Sequence, residues 1–464
     1  MKVTLIGHAS VLVEMEGATC LMDPVFFDPF EEDAVTSCPR RSVFPERLPQ
    51  VDTVIVSHRH PDHFDLRSLD LLPRQADVIL PVDPLIGYAL KKLGFRHVHP
   101  VEPMAPILSD RFELFPTRSE VATVREFGMV FKDASGTFWN QVDGPLSAAT
   151  IDAVKQRFGG IELLFAMYAS QNFDYFDRPS SEFPWETHRG NLESVLRIDP
   201  RMVAPGAAGF RFHGAHAWLN AFLFPVSRQR FVQDLERIGY RGATAIMNPG
   251  DVFDVDAGKA NHRPGSSKVA IMEEDDSDRL CFDPTAPVPA LADPNPDGWS
   301  NETLRGIIAP LVVDGLAAYV QGGYREVDRV VDLYRRHGAS YTLSIVLPDG
   351  ACDQYRFDFE AEGVRMASGT AAAAPGTVVH RIAASALAAW AEHRKSFFYV
   401  RAYSRRHQSI CDVAATAEGV RVRQHLLPDL LMHYLFNAAP GSELAARDLV
   451  DRQLAALSAG SGVA

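Results

Sequence analysis

Three imidazoles and a carboxylate fall within six residues, His58-Arg59-His60-Pro61-Asp62-His63, directly after the apolar run Val51–Val56. The apolar run reads as a buried strand, so the cluster sits where a strand gives way to a loop. His58 and His60 are two apart, and in extended backbone both rings point to the same side. Pro61 turns the chain, so Asp62 and His63 can reach a second ion a few ångströms away. Imidazole with carboxylate suits zinc, iron or manganese, and thiolates are too few here for a sulfur-bound metal. With 16 His in 464 residues, this density in this order marks a metal cradle rather than a polar loop with chance histidines.

The elements that must position this cradle alternate in type over residues 1–265. Strands are expected near 2–6, 10–15, 19–22, 52–57, 77–81, 110–115, 127–132, 136–141, 163–167 and 243–247, and helices near 66–72, 83–93, 148–157, 187–197 and 226–237. Two sheets packed face to face with helices outside satisfy this α/β pattern. Residues 272–300 are acidic and then Pro-rich, which predicts a linker or surface crossover between a domain over 1–271 and another over 301–464. The second has helical stretches at 303–319 and 323–337. Alternating strands follow from Tyr341 to Pro348, from Tyr355 to Glu360 and near 363–368 and 377–381, then a helix at 383–394 and a helical tail, an α+β pattern.

Net charge of −13 argues against a general nucleic-acid binder, which needs a basic face. The N-terminus enters a strand at once, so no signal peptide is expected, and no apolar run approaches the length of a membrane span. The five cysteines, Cys20, Cys38, Cys281, Cys352 and Cys411, lack CxxC spacing and suggest neither a disulfide framework nor an iron–sulfur cluster. A reducing, cytoplasmic setting is the expectation.

The run His58-x-His60-x-Asp62-His63 after a strand resembles the metallo-β-lactamase superfamily, whose fold is an αββα sandwich. The opening segment from Met1 to Glu14, the turn at Glu16-Gly17 and Leu21-Met22-Asp23-Pro24 resemble its first hairpin. They follow the pattern of the branch with ascorbate-6-phosphate lactonase and N-acyl phosphatidylethanolamine phospholipase D. The resemblance covers roughly the first 265 residues. It implies three further ligands. The metal-bridging Asp is best matched by Asp143, after the strand pair 128–132 and 136–141; a surface turn is the alternative. A His is expected near Pro116–Glu120, where none occurs and Glu120 is the available donor, with Glu113 and Glu126 as competitors. Two His with carboxylate is the set favoured by non-haem iron. This replacement looks like the diiron β-hydroxylase of chloramphenicol biosynthesis. The last His is absent from Val203–Phe210, which resembles a segment of CMP-N-acetylneuraminate hydroxylase-like proteins. Those carry a Rieske domain, for which this chain shows no Cys-x-His pairs. His213 or His216 could refill the position, or serve as pocket and packing histidines.

Other pocket residues follow with less information. In relatives a His at the place of His8 approaches the site. Asp23 resembles a partner that orients a ligating imidazole. Tyr168, Gln171 and Asn172 follow a strand on the side where metal loops gather, and Arg118 and Arg211 could hold an anionic substrate. The C-terminal domain resembles a sterol-carrier-like domain that would close the pocket or mediate dimerisation. The reading is a dinuclear iron oxygenase using O₂ and an external electron donor to hydroxylate or N-oxygenate a small molecule. The rival is a hydrolase, with zinc or manganese, acting on a phosphodiester, lactone or amide.

Overall fold

The computed structural model describes the chain except residues 122–123, 170–182, 323–324, 362, 370–375, 418, 436–441 and 461–464. The described residues form two compact units. The first takes in 1–169, 183–283 and 453–460, the second 284–452.

In the first unit an eight-stranded sheet runs in the order Lys259–Arg263, Val252–Asp256, Lys2–Gly7, Ser10–Met15, Ala18–Met22, Thr53–Ile55, Asp77–Pro81, His97–Val101. A seven-stranded sheet runs Ala243–Thr244, Met202–Gly206, Leu163–Met167, Gly136–Asn140, Phe127–Asp133, Phe112–Arg118, Ile107–Leu108. Alternation along each strand builds the layers. Phe127, Met129 and Phe131 face Val3, Val13, Cys20 and Met22 in the core between the sheets. Val130, Trp139 and Leu164 turn outward, under Ile151, Val195 and Phe231 of the helices Ala148–Phe158, Trp185–Ile198 and Arg228–Arg237. The helix Pro84–Leu93 buries Ile86, Ala89 and Leu90. It starts on the Asp83 carboxylate, which accepts from two backbone N–H groups, and stops at Gly94 in the left-handed region. This is the αββα metallo-β-lactamase sandwich.

The strand Met202–Gly206 is not among the strands expected from sequence, and Pro205 and Gly206 are poor strand formers. It pairs in parallel with Leu163–Met167 over its whole length. On its other side only Met202 and Val203 are paired, so Pro205 lies beyond the part of the strand that both neighbours cover. The acidic segment starting at residue 272 also has partners. Ala270–Glu274 pairs with Arg40–Val43, and Arg40 contacts both Glu273 (3.3 Å) and Glu274 (3.0 Å). The unit boundary falls after Asp283.

The second unit holds a mixed sheet in the order Gly363–Ser368, Cys352–Glu360, Ser340–Val346, Thr377–Ala383, Ser404–Gln408, and a separate hairpin of Cys411–Thr416 with Gly419–Gln424. One helix here, Asn301–Gln321, is long and apolar enough by length and composition to cross a membrane, where the sequence reading expects no such run. Its Leu304, Ile308, Val312 and Leu316 pack into the unit's core.

Candidate metal centre

The parallel strands Ala18–Met22 and Thr53–Ile55 set Met22 opposite Ile55, so both continue into the same loop end as Asp23 and Ser57–His63. Asp23 adopts a left-handed φ of 46°, which Asp tolerates better than most side chains. Its carboxylate is fully buried. Oδ1 accepts the Ser57 N–H (2.7 Å), and Oδ2 accepts the Ser57 hydroxyl (2.7 Å) and Nδ1–H of His63 (2.9 Å). Nδ1 of His58 lies 2.9 Å from the Ser57 oxygen. A carboxylate only accepts, so His63 carries a proton on Nδ1. Ser57 spends its one hydrogen on Asp23, so His58 donates from Nδ1 as well. Both rings are thereby fixed with Nε2 turned inward. Ser57 carries no ligand chemistry by sequence; only this chain of bonds reveals its part.

Around those inward nitrogens the donors converge. Nε2 of His58 is 2.9 Å from Nδ1 of His60 and 3.9 Å from Oδ2 of Asp143. Nε2 of His63 is 3.4 Å from both Asp62 Oδ2 and Asp143 Oδ2. His58, His63 and Asp143 form one group with metal-ligand spacing, and His8, Asp62 and His63 another. Nε2 of His63, Oδ1 of Asp143 and Nδ1 of His8 are buried without a hydrogen-bond partner among the described residues. Such orphaned polar atoms are costly. A pair of cations would satisfy them, so the donor set fits the metals the fold implies. The electrostatics agree. Burial, then the neighbouring His63, holds the His58 imidazole well below its usual range. Burial works against the charge on His63 as well, but Asp62 and Asp143 outweigh it and hold that ring well above.

Asp143 follows the strand Gly136–Asn140, whose ladder sets Asn140 opposite Met129. The ladder ends there and Val142 turns the chain with a φ of 59°, which brings Asp143 and Gly144 beside Glu126, the residue before the partner strand. The Glu126 carboxylate lies against Gly144, since a Cβ there would come within 2.5 Å of its Oε1. Glu126 also accepts from the Ser119 hydroxyl. Burial and then the Asp143 charge push its carboxyl up to about 7. Glu120, expected as the ligand, is exposed and stands in neither cluster. Its strand pairs Arg118 with Phe127, so Ser119 meets Glu126 and Glu120 points to the opposite side. Glu113 is engaged with Arg157. The carboxylate beside Asp143 is therefore Glu126, although, like Glu120, it stands outside both ligand-spaced groups.

His8 is brought into the site. Its Nε2 is 3.0 Å from Asp62 Oδ2, and its ring stands 5.1 Å from that of His63. The segment from Val203 to Phe210 does reach this point but presents its backbone: a Cβ on Gly209 would lie 3.0 Å from the His8 backbone. His8 stands on the side where the missing imidazole is expected. Phe30 and Phe210 flank its ring. The remaining expectations separate. Arg211 is paired with the buried Asp276 (2.6 Å), so it is not a free anion clamp. Arg118 is exposed. Tyr168 packs in the outer helix layer, with burial pushing its hydroxyl up to about 12. His213 precedes the short helix Gly214–Leu219, and neither it nor the buried His216 belongs to the clusters. Gln171 and Asn172 lie outside the described residues.

Residues 2–105 match the model of a beta-lactamase superfamily domain. Over 99 residues the chain is 31% identical to an uncharacterized protein of Mycobacterium tuberculosis, covering 20% of this chain and 26% of that protein. It thus spans about a quarter of the length of the curated relatives it matches. Among solved structures it is similar to the isothiocyanate hydrolase from Delia radicum gut bacteria, with TM-score 0.42 and 17% identity over 55% of this chain and 100% of that one. It is similar also to CmlA, a diiron beta-hydroxylase from Streptomyces venezuelae, with TM-score 0.39 and 15% identity over 57% of this chain and 54% of that one. The matched segment holds the first hairpin and the histidine–aspartate run, and the first unit has the αββα fold that this resemblance implies.

Proposed function

We propose that the first unit is a dinuclear non-haem iron oxygenase that uses O₂ to hydroxylate or N-oxygenate a small molecule, with electrons from an external donor. The observation that carries this reading is Glu126, a half-buried carboxylate beside Asp143, while the segment where the resemblance leads one to expect an imidazole has none. His58, His60, Glu126 and Asp143 would hold one ion; His8, Asp62 and His63 would hold the other, with Asp143 shared. Two imidazoles with carboxylate is the donor set of non-haem iron oxygenases, and hard anionic oxygens favour the oxidised metal. Iron, when bound, supplies the one-electron steps that O₂ chemistry requires.

The chain's own residues do the rest. Asp23 and Ser57 keep protons on Nδ1 of His58 and His63, so that both Nε2 lone pairs point inward. Phe30 and Phe210 wall the His8 side with apolar rings, excluding water. Elemental analysis and a visible spectrum of protein purified without chelators test the reading. Iron, with substrate-dependent O₂ uptake, supports it. Zinc, indifference to O₂ and cleavage of a phosphodiester or lactone would put the hydrolase in its place.

A further inference from the structure

The second unit carries its own cluster of ligand-type side chains. His337 follows the helix Arg325–Arg336, Asp412 lies in the strand Cys411–Thr416, and His425 follows the strand Gly419–Gln424. Their donor atoms all lie within 4.8 Å of one another. Nε2 of His425 is 2.6 Å from Asp412 Oδ2, and Nδ1 of His337 is 3.7 Å from Asp412 Oδ1. The two rings face each other at 4.1 Å between centroids, tilted by 33°. Both imidazoles are mostly buried, with side chains 13% and 18% exposed, while the carboxylate is 62% exposed.

We propose that His337, Asp412 and His425 bind a borderline divalent cation of the zinc, nickel or copper type, and that the cation clamps the hairpin 411–424 to the end of the helix Arg325–Arg336. Tetrahedral zinc with bonds of about 2.0–2.1 Å sets its ligand atoms roughly 3.3 Å apart. Asp412 meets His425 through Oδ2 at 2.6 Å and His337 through Oδ1 at 3.7 Å, and with all three donor atoms within 4.8 Å one ion is reached by side-chain adjustments of about 1–1.5 Å. Two imidazoles and one carboxylate leave a fourth position open to solvent on the Asp412 side. Cys411 precedes Asp412 in the strand and points to the other face, so it does not complete the set.

The hairpin has reason to need a clamp. Every described residue of its two strands is exposed, and they pair only with each other. A lone two-stranded ribbon is marginal in water. At its base the His425 N–H donates to the Ile410 carbonyl, and Tyr334 in the helix donates to the Pro428 carbonyl. The cluster sits where hairpin, helix end and following segment meet.

The test uses the full chain dialysed against micromolar zinc, with zinc counted by elemental analysis. Wild type should hold about one molar equivalent more than His425→Ala or Asp412→Ala, and the milder His425→Gln should show the same loss. His58→Ala should keep this equivalent. Hydrogen exchange over 411–424 should slow on adding zinc to wild type and not to His337→Ala. Equal zinc content in wild type and the cluster variants overturns the site. Exchange indifferent to zinc overturns the clamp.

Discussion

Asp23→Ala is the sharpest probe of how this centre is held. The carboxylate accepts three hydrogen bonds from Ser57 and His63, and through Ser57 it fixes His58. With Ala in its place the Ser57 hydroxyl is free to donate to Nδ1 of His58, which moves that ring's proton to Nε2 and blocks the inward lone pair. His63 loses the carboxylate that holds its Nδ1 proton and keeps only the longer contact to the Ser57 oxygen at 3.5 Å. Outer partners of this kind are worth about 10–100-fold in metal affinity. Asp23 serves two rings, so the loss should lie near 100-fold, or about 2.7 kcal/mol. Stability should fall by about 3 kcal/mol, because buried donors bonded to a charge are left unpaired. Asp23→Asn should recover only part of either loss, since either amide orientation sets an NH₂ against a donor. Competition with a chromophoric chelator gives the affinity, urea unfolding the stability, and imidazole ¹⁵N shifts the tautomers. Wild-type affinity in Asp23→Ala, or Nε2-inward tautomers that persist without the carboxylate, would refute the reasoning.

Glu126→Gln should lose most of one metal equivalent, whereas Glu120→Gln should keep full metal content, both read by elemental analysis. Glu126 also predicts a pH dependence. Its folded pKa of about 7 lies above the usual carboxylate value, so its contribution to metal-free stability is present at about pH 4 and lost as pH rises through about 7. Urea unfolding of chelated protein should show this decline in wild type and not in Glu126→Gln, and metal affinity should rise over the same window as the proton leaves. In the second unit, buried Asp429 pairs with His380 (2.9 Å) and accepts from Tyr341 (3.1 Å). Asp429→Ala should cost about 3–5 kcal/mol, seen as faster exchange in the strand Ser340–Val346. Burial opposes the Asp429 charge, but His380 and then Arg406 hold the carboxyl below its usual range. That stability is therefore present above the ordinary carboxylate pKa and fades as pH falls below it.

The histidine–aspartate run was legible because its chemistry is local: spacing along a few residues decides which way the rings point. The first hairpin and the strands from 127 to 140 were legible for the same reason. What sequence left open depends on contacts between distant segments. Glu120 and Glu126 both lie near a strand end; only the approach of the turn at Asp143 and Gly144 to Glu126 separates them. Arg211 looked free until Asp276, from the acidic segment, came to it. The strand Met202–Gly206 was hidden by Pro205, which lies where pairing on one side has ended. The hairpin of Cys411–Thr416 with Gly419–Gln424 was missed although Val420-Arg421-Val422-Arg423 alternates, and its Val413, Val420 and Val422 stay exposed, so the alternation marks no core-facing strand.

The central claim is that a carboxylate-rich pair of metal ions on this fold activates O₂. The most direct measurement is to load the chelated protein anaerobically with ferrous iron, count the iron, and follow absorbance and dissolved O₂ on mixing with air. The account predicts two irons in the first unit, bound through His58, His63 and Asp143, a new visible band, and O₂ consumption that Glu126→Gln abolishes. Iron that fails to bind there, or binds and leaves O₂ untouched while the zinc form hydrolyses a lactone or phosphodiester, would contradict it.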